Sequence, residues 1–172
     1  SEVEEVLKEI EEMLRDLERR VKESDEENRD SLRKIREDVE RVDEENRDTL
    51  RRIKEKVKGE LLKEVEELIR ELSRELEKVL KEAEDAVREL SKDNRRVLEE
   101  IRKAVKRLLD LVREDGSEKV MKEVRDVIAR LRDELEKVTE DSRRVNKELK
   151  KRLEDVVREI RRANEELDER VR

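Results

Sequence analysis

The chain has 172 residues with 47 basic and 54 acidic side chains, so 59% of it is charged and the formal net charge is −7. It contains no His, Cys, Pro, Gln or aromatic residue. These absences exclude disulfides, His- or Cys-based catalytic groups, soft-metal sites and base-stacking surfaces. We therefore expect no enzymatic activity, no cofactor, no metal and no nucleic-acid partner.

The apolar residues are distributed periodically and never form a long uninterrupted run. No uncharged stretch approaches the ~20 residues that cross a bilayer, and the start of the chain has no signal-peptide pattern. The periodic Leu, Val and Ile positions also argue against disorder, because they supply a continuous stripe to bury. We expect a soluble protein with no membrane partner, cytoplasmic on recombinant expression and without an indicated native compartment.

The first predicted helix, about residues 2–58, is built on an internal repeat. Residues 24–39 read SDEENRDSLRKIREDV and residues 42–57 read VDEENRDTLRRIKEKV, an offset of 18 residues. Eighteen residues make about five turns of an α-helix, so equivalent positions return to the same face. Ser1 and Glu4 form a predicted capping box at the start. Gly59 is predicted to end the helix as a left-handed C-terminal residue.

The second and third predicted helices, about 60–114 and 118–171, repeat at the same 18-residue offset. In the second helix Val79 returns as Val97. Between the two helices, Asp115-Gly116-Ser117 provides a glycine after one helix and a serine N-cap before the next. The loops are short, and short loops make sequential helices antiparallel neighbours.

The fold class predicted by these patterns is all-α, an antiparallel up-down-up bundle of three long helices. An 18-residue repeat lies between the heptad and 11-residue repeats, which supercoil with opposite hands. The helices are therefore predicted to be nearly straight. We expect residues 1–172 to form a single three-helix domain.

Twelve polar residues interrupt the apolar stripes. Counting along antiparallel helices from the two loops gathers them at two levels. We predict buried hydrogen-bond networks there, because each unpartnered polar group costs about 1–3 kcal/mol. One level contains Asn28, Ser91, Asn94, Thr139 and Asn146, and the other contains Asn46, Thr49, Ser73 and Asn164. The alternative is that some lie at the stripe edge and meet water. The twelve are Ser24, Asn28, Ser31, Asn46, Thr49, Ser73, Ser91, Asn94, Thr139, Ser142, Asn146 and Asn164.

Over its whole length the chain resembles de novo designed helical bundles with buried hydrogen-bond networks. The resemblance is carried by the 18-residue repeat in all three helices, the bare Gly59 and Asp115-Gly116-Ser117 loops, and Asn, Ser and Thr within a Leu/Val/Ile core. It implies a stable scaffold, a specific oligomer or a pairing module. Natural three-helix modules such as spectrin repeats share the topology but usually carry aromatic core residues.

Three functional hypotheses remain open at this point. The first is a structural scaffold whose polar core positions set helix register and pairing, with no required partner. The second is a binding module that forms a homo-oligomer or accepts a fourth helix, for which Ala86, Leu109 and Leu111 widen the stripe of the second helix. The third is a segment of a natural helical rod.

Overall fold

The computed structural model of the protein describes residues 2–172, and it is all-α. Helix α1 spans Glu2–Lys56, helix α2 spans Glu60–Glu114 and helix α3 spans Glu118–Val171. The three helices pack against one another as a three-helix bundle, which confirms the predicted fold class. Ser1, and with it the predicted capping box, lies outside the described residues.

The turn between α1 and α2 is the one predicted at Gly59. Gly59 has φ +76°, a left-handed conformation that glycine adopts without a Cβ penalty. Helix α1 ends at Lys56, two residues before the predicted end, although the Val57 amide still donates to the Ile53 carbonyl at 2.9 Å. Such differences at helix ends are common, because the last turn must unwind into the cap.

The connection between α2 and α3 is capped by side chains on both sides of a glycine. The Ser117 hydroxyl accepts a bond from the Val120 amide at 3.4 Å, so Ser117 is the N-cap of α3. The Ser117 amide in turn donates to the Asp115 carboxylate at 3.0 Å. Gly116 permits a close approach, since a Cβ there would lie 2.7 Å from a methyl group of Val3.

Each helix contributes one half to each of two compact units. In the first unit, residues 2–29 of α1 pack with residues 88–114 of α2 and residues 118–144 of α3. Because the start of α1 meets the end of α2 and the start of α3, α2 is antiparallel to both neighbours. Its core contains Leu17, Ile101 and Leu135, each almost fully buried.

The second unit has the same three-segment construction. It combines residues 30–56 of α1, 60–87 of α2 and 145–171 of α3. One apolar cluster in it contains Leu76, Ala83 and Ile160, and another contains Ile53, Val65, Ile69 and Leu167. The apolar side chains of these clusters recur along each helix at helical spacing and form one buried stripe per helix. Burial of these stripes fixes the rotation of each helix and thereby the position of every polar residue described below.

Candidate functional site

The polar residues of the first unit lie in or beside its core. Ser24, Asn28, Asn94 and Ser142 are buried, whereas Ser91 and Thr139 are half-buried. The Asn94 side-chain amide crosses from α2 to α1 and donates to Asp25 Oδ1 at 2.6 Å. The Thr139 hydroxyl donates within its own helix, to the Leu135 carbonyl at 2.8 Å. The Ser24 and Ser142 hydroxyl oxygens are buried without a hydrogen-bond partner.

The second unit contains a direct amide pair between α1 and α3. Asn164 Nδ2 donates to Asn46 Oδ1 at 2.8 Å, and the two side chains are 7% and 0% exposed. The two side-chain amides have four polar atoms, and this bond uses two of them. The other two, Asn46 Nδ2 and Asn164 Oδ1, are buried without a partner. A buried donor and a buried acceptor therefore lie unsatisfied next to a satisfied pair.

The remaining polar positions of the second unit are bonded locally or to α1. Thr49 is buried and its hydroxyl donates to the Glu45 carbonyl of its own helix at 3.0 Å. The half-buried Ser73 hydroxyl crosses from α2 and donates to Asp43 Oδ1 at 3.0 Å. Ser31 and Asn146 are half-buried in this unit.

Two aspartates that sequence reasoning missed are partners of these polar side chains. Asp25 and Asp43 occupy the same position of the 18-residue repeat, and each accepts a bond from α2. Their sequence positions could have indicated this role. Each directly follows a residue of the apolar stripe, Ser24 or Val42, so its short carboxylate lies at the edge of the stripe and reaches the neighbouring helix.

Counting along the helices brought some of the twelve residues together as expected. Asn46 and Asn164 were placed at one level, and they share a hydrogen bond. Ser73 was placed at that level too, but its hydroxyl is bonded to Asp43. Asn94 was placed beside Asn28 and Ser91, and its described partner is Asp25. The described hydrogen bonds of Asn94, Ser73 and Asn46 between helices thus join pairs of side chains. In two of the three pairs the acceptor is an aspartate carboxylate.

Surface grooves in both units lie between α1 and α3. In the second unit a groove of about 510 Å³ is lined by Val42, Leu153 and Val157 among basic and acidic side chains. A second groove there, of about 260 Å³, is lined by Thr49 and Asn164 among others, and Arg161 and Glu165 line both.

The grooves of the first unit are smaller. One of about 220 Å³ is lined by both methionines of the chain, Met13 and Met121. One of about 160 Å³ is lined by Ser24 and Thr139 with four glutamates and two arginines. The residues proposed from sequence to widen the α2 stripe, Ala86, Leu109 and Leu111, are half-buried and line none of the four grooves described.

Charged side chains join the helices at the surface of the second unit. Arg161 binds Glu45 through two hydrogen bonds of 3.2 Å, and Arg52 lies 3.1 Å from Asp168. The four side chains are between about a third and three-fifths exposed. Each such pair contributes at most about 1 kcal/mol, because water screens it.

No protein-family model, curated protein or solved structure matches this chain. Within residues 2–172, no group of three or more acidic, His or Cys side chains is placed to hold a metal ion. The helices described for those residues include none with an apolar stretch long enough to cross a membrane.

Replacing Asp25 by alanine is expected to cost about 1–3 kcal/mol of folding free energy, because Asn94 would keep a buried donor with no partner. Asp43→Ala is the matched control. It makes the same change at the same repeat position, but it releases a half-buried Ser73, which can bond to water, so we expect a loss under about 1 kcal/mol. Guanidinium unfolding measures both, and equal losses would show that burial of the α2 partner does not matter.

Proposed function

We propose that the protein is a structural scaffold in which paired polar side chains specify how three helices associate. The proposal is supported by the two unit cores, which bury one apolar stripe of each helix, and by polar bonds that cross between different helices. The work of such a protein is to hold long helices in one arrangement. The resemblance to designed helical bundles agrees with this role, and we propose a designed origin on the same grounds.

The observation that carries the proposal is the Asn46–Asn164 pair. An amide buried in an apolar core is tolerated only when it meets another polar group. Sliding α3 along α1 by one turn would lose the 2.8 Å bond and bring Asn46 level with Ile160 or Leu167, which are apolar. The pair therefore favours one register and one pairing over competing arrangements, as single buried asparagines do in coiled coils.

A test of this role compares the wild-type chain with the double variant Asn46→Leu, Asn164→Leu. We expect the wild type to have one mass in light scattering, 20.9 kDa, and to melt above the ~45–65 °C of ordinary domains. The double variant is expected to remain helical but to show a mixture of masses. With leucine at both positions, pairing of α1 with α3 of its own chain is no longer favoured over pairing with a helix of another chain.

Two outcomes would contradict the scaffold role. One is a broad melt of the wild type near body temperature, since a scaffold must be stable under working conditions. The other is a double variant that keeps a single mass of 20.9 kDa at every concentration, because the amide pair would then contribute nothing to specificity. Circular dichroism on the same samples confirms that both chains are folded.

A further inference from the structure

The chain carries all of its readily oxidised side chains in one place. It contains two methionines, Met13 and Met121, and no Cys, His, Trp or Tyr. Met13 belongs to α1 and Met121 to α3, and both line the same groove of about 220 Å³ in the first unit. The second unit, residues 30–87 and 145–172, contains no methionine. Peroxides that oxidise thioethers therefore have their targets in the first unit alone.

The groove around the two methionines is mainly apolar. Seven of its ten lining residues are apolar, and the three charged ones are Glu9, Arg125 and Arg132. The larger groove of the second unit is different, since eight of its eleven lining residues are charged. A polar group that forms on Met13 or Met121 therefore meets mostly aliphatic neighbours, which offer it no hydrogen bond.

Both methionines are packed against the core and are also open to small molecules. Each is half-buried and packs against the core cluster of the first unit, which contains Ile10 and Val124. The groove volume of about 220 Å³ is several times the ~30 Å³ share of one water molecule, so hydrogen peroxide fits within it. A thioether in this position can react from the groove and disturb the packing beneath it.

We propose that Met13 and Met121 form a redox-sensitive modification site, at which oxidation by a peroxide loosens the packing of α1 against α3 in the first unit. In each reaction the thioether sulfur donates an electron pair to one peroxide oxygen, and a sulfur–oxygen bond forms as the O–O bond breaks. The other oxygen of hydrogen peroxide leaves with both protons as water, so sulfur loses two electrons and the peroxide gains them. This inference goes beyond the scaffold role and does not depend on it.

The sulfoxide weakens this interface in either orientation that it adopts. Its oxygen is a hydrogen-bond acceptor, and inside the apolar groove that oxygen is removed from water without gaining a donor. If the side chain turns outward to water instead, it leaves its contacts with the core cluster. Methionine sulfoxide reductases convert the sulfoxide back to the thioether, so the change is reversible.

The test treats the full-length chain with hydrogen peroxide and follows amide hydrogen exchange by mass spectrometry. We expect the chain to gain two oxygen atoms, about 32 Da in total. Exchange should become roughly tenfold faster in residues 2–29 and 118–144 and change less than about twofold in residues 30–56 and 145–171, since local opening follows lost packing. Reduction by methionine sulfoxide reductases should restore both the mass and the exchange rates.

Leucine variants tie the faster exchange to the two sulfur atoms. The double variant Met13→Leu, Met121→Leu conserves apolar volume, has no thioether and should keep its protection after peroxide treatment. Adding Val157→Met to it moves the reactive group, because Val157 is half-buried in the second unit and lies two 18-residue repeats after Met121. In this triple variant the faster exchange should appear in the second unit.

Three results would overturn the proposal. One is a folded wild-type chain that resists peroxide under conditions that oxidise the unfolded chain, because the groove would then be closed to the oxidant. Another is complete oxidation with unchanged exchange, which would show that the first unit accommodates both sulfoxides. The third is faster exchange that occurs equally in both units or in the double leucine variant, since the two methionines would not be its cause.

Discussion

Replacing Asn46 alone by leucine is expected to lower the free energy of unfolding by about 1–3 kcal/mol. Asn46 is fully buried and accepts the 2.8 Å bond of Asn164. After the substitution, the amide group of Asn164 keeps its position in the core but has neither a donor nor an acceptor opposite it. The loss arises from that unsatisfied group, because the leucine itself suits an apolar environment.

The double variant Asn46→Leu, Asn164→Leu is the control for this prediction. We expect it to be as stable as the wild type or more stable, since replacing both members of a buried polar pair with apolar groups removes their desolvation penalty. Guanidinium unfolding of the four chains gives the coupling energy of the pair. A double variant that lost the sum of the two single effects would contradict the amide pair as described.

The second large effect is expected at Ile101, where Ile101→Ala should cost about 2–5 kcal/mol. Ile101 is 0% exposed and belongs to the core cluster of the first unit. Removing its branched side chain sacrifices transfer free energy and also leaves a cavity that packed helices close only in part. Chemical unfolding followed by far-UV circular dichroism measures the loss.

The matched substitution Ala83→Ile tests the effect of too large a side chain, rather than too small a one, at the equivalent position of the 18-residue repeat. Ala83 lies 18 residues before Ile101, is also 0% exposed, and belongs to the core of the second unit. Isoleucine would satisfy the repeat, but Ala83 is already fully enclosed by the core, so we expect overpacking to cost about 1–3 kcal/mol. An increase in stability would reveal an unfilled cavity beside Ala83 and would contradict this description.

The helices and their ends were predictable because local chemistry determines them. The 18-residue apolar repeat predicted three helices, and they were found at Glu2–Lys56, Glu60–Glu114 and Glu118–Val171. Gly59 was predicted to be left-handed and Ser117 to be an N-cap, and both are. A positive φ or a capping hydroxyl involves only residues within one turn, so the neighbouring sequence contains the whole cause.

The partners of the polar residues were less predictable. All twelve polar positions in the stripes are buried or half-buried, because the helical period alone places them toward the core. Whether a buried amide meets another amide or a carboxylate depends on the rotation and separation of two helices. Asn94 and Ser73 found Asp25 and Asp43, whereas Asn164 found Asn46.

The sequence by itself determined which residues are helical, where the chain turns and which face of each helix is buried. Those properties depend on periodicity and on a few capping residues. The tertiary structure decided which polar groups are satisfied and that the grooves lie between α1 and α3. Distances and volumes between helices are set only when all three pack together, and no single stripe encodes them.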